Sequence, residues 1–219
     1  MQVRKLFDGV YTLDGRLCTI DIGAGRKVYG EDHLEYEGKE YRMWNPYRSK
    51  LAAAILNGLK NEHMRKDDKV LYLGAATGTT TSHVSDIIEE KGVLYCIELS
   101  ERNMRDLLVV CESRPNMIPI LEDARYTDKY ADTIAECDII YQDVSSPEQA
   151  GILEANSRFL KRGGYAYFAI KSQSIDIKKK PEETFKKVLQ SLEKTFEIVE
   201  EVRIEPYHKL HLFAVLRKR

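Results

Sequence analysis

The sequence predicts an α/β protein whose main sheet has seven strands, mostly parallel, closed by an antiparallel C-terminal hairpin and preceded by a small N-terminal β unit. Three observations carry this prediction. Lys69 to Ser82 reads as a buried apolar strand, a turn with two glycines and the start of a helix. From there to residue 192, short apolar runs alternate with stretches of helical periodicity, the pattern of a parallel sheet with crossover helices. Finally, two long strand-like segments, Thr195 to Ile204 and Leu210 to Arg217, are joined only by Glu205 to Lys209, a link short enough for antiparallel pairing alone.

Ahead of the main sheet, Met1 to about Tyr41 alternates in short segments broken by Asp8-Gly9, Asp14-Gly15, Gly23-Ala24-Gly25 and Glu37-Gly38. These are hairpin signals and predict an antiparallel unit that buttresses or covers the main domain. Arg42 to Ile55 makes the boundary. Asn45 is suited to cap a helix and Pro46 to open it, with Leu51, Ala52, Ile55, Leu56 and Leu59 as its apolar face. Lys50 falls near that helix start, where the dipole disfavours a cation.

In the stretch from Lys69, Gly74 and Gly78 stand where the chain must turn sharply or let a ligand reach its backbone, and Thr79, Thr80 and Ser82 offer hydroxyls at the helix entrance. The run G-A-A-T-G-T-T-T keeps the strand-turn-helix form but lacks G-x-G-x-x-G and G-x-x-x-x-G-K-[ST], the phosphate-cradling patterns. A turn of this kind suits the adenosine and amino-acid parts of S-adenosylmethionine, which carries no phosphate. Val93 to Ile97 is the next strand and Glu98 ends it, where an acid can accept ribose hydroxyls. Ser100 caps the following helix. Met117 to Leu121 leads to Asp123 and Ala124, an acceptor for an adenine amino group and a free backbone N–H. Cys137 to Tyr141 leads to Asp143; a helix from Ser146-Pro147-Glu148 runs toward Leu160; Tyr165 to Ile170 delivers Lys171; and Pro181 opens the last helix.

Gly74, Glu98, Asp123, Asp143 and Lys171 each follow the carboxyl end of a strand, the edge along which ligands bind in open α/β sheets. Asp and Gly are also common turn residues, but lysine is not. Lys171, Asp143 and Lys50 together make a charge-paired centre suited to methyl transfer onto a hydroxyl. A lysine of lowered pKa takes the proton, a second cation stabilises the oxygen, and the carboxylate holds the amine.

Composition bounds the partners. Lys plus Arg total 34 against 35 Asp plus Glu, a net charge of -1, which excludes a protein that grips nucleic acid over its whole surface. Cys18, Cys96, Cys111 and Cys137 are widely spaced without C-x-x-C and read as reduced thiols of a cytoplasmic protein; no metal site is assigned. No apolar run approaches the roughly 18 residues of a membrane span, and no signal peptide precedes Val3.

Taken as a set, Arg42-Met43-Trp44-Asn45-Pro46-Tyr47-Arg48-Ser49-Lys50-Leu51, Tyr72 to Thr80, Ser82-His83-Val84-Ser85-Asp86, Ile118 to Arg125 and Glu205-Pro206-Tyr207 closely resemble fibrillarin, the RNA 2′-O-methyltransferase of box C/D ribonucleoproteins, in its archaeal form. The resemblance spans essentially the whole chain. It implies a Rossmann-like, S-adenosylmethionine-dependent methyltransferase domain over 45–219 behind a β domain over 1–44. It also implies a cofactor held by Gly74, Ala75, Thr79, Thr80, Glu98, Leu99, Asp123, Ala124, Asp143, Val144, Ser145 and Ser146, and catalysis by Lys50, Asp143, Lys171 and His211. The implied partners are a Nop5-type scaffold, the kink-turn protein L7Ae, a guide RNA and target rRNA or tRNA.

Three departures from the family pattern stand out. Leu210 precedes His211 where an aspartate is usual, Leu99 replaces a common phenylalanine, and Ser145-Ser146 replaces alanine-glutamine. The residues alone also admit a small-molecule methyltransferase on the same sheet, or a non-enzymatic scaffold subunit that retains the cofactor fold.

Overall fold

The computed structural model describes Met1–Arg219 as two sheets fused through a buried polar joint. The first is antiparallel and built from β1 (Val3–Phe7), β2 (Val10–Leu13), β3 (Arg16–Ile20), β4 (His33–Tyr36) and β5 (Lys39–Met43), in the order β1-β2-β3-β5-β4. The predicted hairpin pairs fall at its turns, with Gly9, Gly15 and Gly38 all at positive φ. The segment around Gly23-Ala24-Gly25 instead belongs to the longer connection from β3 to β4.

After α1 (Lys50–Leu56), the second sheet is assembled from β6 (Lys69–Leu73), α2 (Thr79–Ile88), β7 (Val93–Glu98), α3 (Glu101–Cys111), β8 (Met117–Leu121), β9 (Cys137–Gln142), α4 (Gln149–Asn156), β10 (Leu160–Lys171), α5 (Ser172–Ile175), α6 (Pro181–Leu192), β11 (Phe196–Arg203) and β12 (His211–Lys218). Its order is β11-β12-β10-β9-β6-β7-β8. Only β12 runs against the rest, inserted between β10 and β11. The order reverses between β6 and β9, and that switch point opens a crevice at the carboxyl ends of the strands. Apolar clusters cover both faces, one with Leu51, Tyr72, Val84 and Phe213, the other with Leu71, Ile97, Leu153 and Leu189. No helix is long and apolar enough to cross a membrane.

Two local expectations are corrected. Asn45 does not cap α1: its Oδ1 turns onto the Tyr47 N–H at 2.9 Å, and the cap is Ser49, whose hydroxyl accepts from Ala52. Nor do the Thr79, Thr80 and Ser82 hydroxyls cap α2, which begins at Gly78 in the left-handed conformation. Thr80 donates to the Ser49 hydroxyl and Ser82 to the Thr79 carbonyl. Ser172–Ile175 and a short 3-10 turn at Ser157–Phe159 are further elements beyond the predicted set.

The joint between the sheets is a buried ion network. Arg42 on β5 donates to Glu31 and Asp86, while Arg114 donates to Asp86 and Asp21. Thr19 donates to Asp86 as well, and His83 stacks on Trp44 with centroids 4.7 Å apart. His83 is held well below the ordinary imidazole range, by burial first and then by the Arg42 and Arg114 charges. The Ser82-His83-Val84-Ser85-Asp86 motif therefore works as a fastening between sheets.

Candidate functional site

The reversal at β6 and β9 brings Gly74 against Asp143. A Cβ on Gly74, at φ +86°, would stand 2.9 Å from the Asp143 carbonyl oxygen, so a side chain here would push the residue that follows β9 out of place. Gly78 has a different reason: its Cβ would meet Val110 of α3 at 2.9 Å. Packing between elements, more than ligand contact, demands both glycines.

Along the rim, a cavity of about 540 Å³ is lined by Gly74, Glu98, Asp123, Asp143 and Lys171, the five strand-end residues singled out in the sequence. Leu99, Ala124, Val144, Ser145 and Ser146 line it too. Ala75, Thr79 and Thr80 are not among the lining residues. Thr80 is taken up by Ser49, so it supports the start of α1 and with it Lys50.

Glu98 is oriented before any ligand arrives. Its Oε1 accepts from the Ser100 N–H at 2.8 Å and the Asn103 amide at 3.2 Å, and its Oε2 accepts from the Ala76 N–H at 2.8 Å. A carboxylate has about four acceptor positions, so one remains, on Oε2. Room for both ribose hydroxyls, as the sequence reading allows, requires the long Asn103 bond to give way. Asp123 is gripped by Arg125 through Nε and the terminal nitrogen, and Arg125 foremost among its neighbours lowers its pKa. The carbonyl of Ala124 is fixed by Tyr130 and Asn156, while its N–H meets no acceptor of the chain.

At the other end of the cavity Asp143 sits between two ammonium groups. Lys50 Nζ donates to its Oδ2 at 2.8 Å, and Lys171 Nζ lies 2.8 Å from its Oδ1, with none of the three side chains more than 15% exposed. Lys171 aligns its hydrogen bonds elsewhere, on the Asp143 carbonyl at 2.9 Å and the Ser145 hydroxyl at 3.0 Å, which leaves Oδ1 without an aligned donor. Burial lowers the Lys171 pKa, Asp143 opposes this, and Lys50 adds to the lowering. Burial pushes the Asp143 carboxyl up, but the two ammonium groups outweigh it and the net shift is downward.

His211 pairs with Lys171 across β10 and β12. Its Nδ1 lies 2.6 Å from the Lys209 carbonyl, an acceptor only, so Nδ1 carries the proton and Nε2 keeps its lone pair. Burial keeps this ring below the ordinary histidine range.

Residues that the sequence reading passed over hold the centre in place. Gln149 brackets the Lys171 peptide, accepting its N–H at 3.1 Å and donating to its carbonyl at 3.2 Å, and Gln142 donates to the Gln149 carbonyl. His208 donates through Nε2 to the Pro46 carbonyl at 2.8 Å, tying the β11–β12 connection to the turn before α1. A polar glutamine at the buried end of β9, beside Asp143, was the available signal for the first of these.

The sheet with its single reversed strand, and the acidic rim with its lysines, define a methyltransferase fold of the S-adenosylmethionine-dependent class. A family model described as Fibrillarin matches residues 1–219, and the chain belongs to the fibrillarin family. Among its relatives is a fibrillarin-like rRNA/tRNA 2′-O-methyltransferase of Pyrococcus furiosus, 48% identical over all of this chain and 99% of that protein. Fibrillarin of Aeropyrum pernix, solved with natively bound S-adenosyl-L-methionine, superposes with a TM-score of 0.91 at 43% identity, covering 99% of this chain and 98% of that one. A fibrillarin in complex with Nop5p does so at 0.91 and 40% identity, over 99% and 100% of the two chains.

Proposed function

We propose that the protein transfers a methyl group from S-adenosylmethionine to a ribose 2′-hydroxyl of rRNA or tRNA, as the catalytic subunit of a box C/D particle containing a Nop5-type scaffold, L7Ae and a guide RNA. The observation that carries this is the Lys50–Asp143–Lys171 centre at the end of an adenosine-sized cavity. The activity of the Pyrococcus relative, the S-adenosyl-L-methionine bound to the Aeropyrum protein and the Nop5p complex of the other superposed structure support it.

The lining fits this cofactor. Glu98, Glu122, Asp123 and Asp143 face Lys171 and Arg125, an acidic balance that favours a sulfonium cation and disfavours a pyrophosphate. Oε2 of Glu98 takes a ribose hydroxyl, Asp123 and the Ala124 N–H address the adenine edge, Leu99 packs on its face, and Val144 to Ser146 border the amino-acid part. Ala75, Thr79 and Thr80 shape the turn from behind. When bound, the cofactor supplies a methyl carbon already activated on sulfur. Lys171, once neutral, takes the proton of the accepting hydroxyl, and Lys50 remains charged to stabilise the oxygen. Asp143 holds both amines, and His211 Nε2 is a second basic nitrogen at the same edge. Residues 1–44 act as a buttress for the catalytic part, 45–219.

Glu98→Ala is expected to weaken cofactor binding about tenfold to a hundredfold, the loss of a hydrogen bond to a charged group. Calorimetry on the purified chain reads this directly, and unchanged affinity would remove Glu98 from the binding set. The function itself is tested by a reconstituted particle with and without guide RNA, mapping ribose methylation on the target. Methylation at the guide-specified nucleotide, absent without guide, is expected. Methylation of small molecules, or none in the complete particle, would overturn the reading.

A further inference from the structure

The rim runs in space from Asp123 through Glu98, Gly74 and Asp143 to Lys171, and beyond Lys171 comes β12. With adenosine held at the Glu98 and Asp123 end, the accepting ribose has to approach from the β12 and α1 flank, where Lys50 and His211 stand outside the cofactor cavity. On that flank two loops meet. The turn before α1 carries Tyr47, and the β11–β12 connection carries Tyr207; the two rings pack edge to face with centroids 5.0 Å apart at 76°. Tyr47 is 63% exposed, a large aromatic surface that core packing does not account for.

The pair is held rigidly. His208 bonds the Pro46 carbonyl, Asn45 accepts the Tyr47 N–H, and the Asn57 amide donates to the Arg203 and Glu205 carbonyls at 2.7 Å each. Arg48 and Lys209, both exposed, lie on the same two loops, one and two residues after the tyrosines, and the Arg48 guanidinium stands 5.5 Å from the centroid of the Tyr29 ring. An exposed aromatic face on loops that also carry exposed cations, on the flank from which a ribose reaches the centre, has the chemistry of a nucleobase platform, with ring contact for the base and ammonium or guanidinium for the adjoining phosphates.

Resting on the reading above, we propose that Tyr47 and Tyr207 form the surface on which a nucleobase of the acceptor RNA stacks while its ribose faces Lys50, Asp143 and Lys171. Stacking is a property of the ring, so Tyr47→Phe and Tyr47→Trp should behave as the native protein. Tyr47→Ala and Tyr207→Ala should raise the concentration of substrate strand needed for half-saturation about tenfold to a hundredfold. Cofactor affinity, read by calorimetry, stays unchanged.

The test uses the assembled particle and a substrate strand with 2-aminopurine at or beside the target nucleotide, following both fluorescence quenching on binding and methyl transfer. Native protein and the Phe and Trp variants should quench, and the Ala variants should not. Alanine variants that saturate and quench like the native protein would overturn the proposal, as would a Tyr47→Phe protein no better than Tyr47→Ala. Quenching does not depend on transfer. A native particle that quenches without methylating would therefore defeat the assigned reaction and leave the platform standing, whereas methylation indifferent to both rings would defeat the platform alone.

Discussion

Lys171→Ala is expected to slow methyl transfer in the assembled particle by about a thousandfold, within the range that a positioned acid or base supplies, while cofactor affinity stays close to native. The separation follows from position. Lys171 ends β10 at the far side of the cavity from Glu98 and Asp123, and its amine is spent on Asp143 and Ser145. Lys171→Arg divides two roles of the side chain. A guanidinium keeps the charge but does not release a proton at accessible pH, so a base function predicts an inactive variant and a purely electrostatic one predicts substantial activity. The pH dependence has a definite sign. The base acts when neutral, so the single-turnover rate should rise as pH increases through the Lys171 pKa, at a midpoint below the ordinary lysine range because burial and Lys50 lower it. A rate independent of pH, or native-like transfer by the alanine variant, would remove Lys171 from the proton path.

Asp86→Ala is expected to cost about 3–5 kcal/mol of stability, the penalty for taking one partner from a buried ion network. Asp86 is the carboxylate shared by Arg42 and Arg114, both without solvent exposure, and its loss leaves two guanidinium groups with one acid fewer between the sheets. Urea denaturation at neutral pH measures it, and a loss under about 1 kcal/mol would show that the joint does not hold the sheets together. The same joint sets an acid limit. Burial pushes the Glu31 carboxyl up, yet the Tyr29 N–H, the Arg42 guanidinium and the Val28 N–H outweigh this and hold it at about 2. Because the folded value lies below the unfolded one, this stabilisation is complete above pH 4.5 and is lost as pH falls toward 2.

The rim was legible in the sequence because each of its members ends an apolar run of strand length, and topology does the rest by lining up strand ends. Lys171 was the sharpest signal, since neither turn chemistry nor burial favours a lysine there. What holds the rim was legible only as Gln142, a polar residue closing an apolar run. Gln149 and Gln142 act through backbone groups of β10 and α4 that only the folded chain brings near. Asp21, Arg42, Asp86 and Arg114 are scattered along the chain and look like ordinary surface charges until two sheets close over them. The helix start after Trp44 was misplaced for a local reason: Asn45 satisfies Tyr47 instead of a helix N–H, so Pro46 sits in a turn and Ser49 takes the cap. Threonines at an apparent helix entrance misled in the same way, because Gly78 opens α2 with its backbone alone.

A crystal structure of this chain with S-adenosylmethionine bound tests the central claim most directly. The account predicts ribose against Glu98 and the methyl carbon turned toward the Lys50–Asp143–Lys171 centre, leaving space for an acceptor oxygen about 3–3.5 Å from that carbon on the β12 flank. A cofactor lying in another cavity, or in this one with its methyl turned away from Lys171, would contradict it.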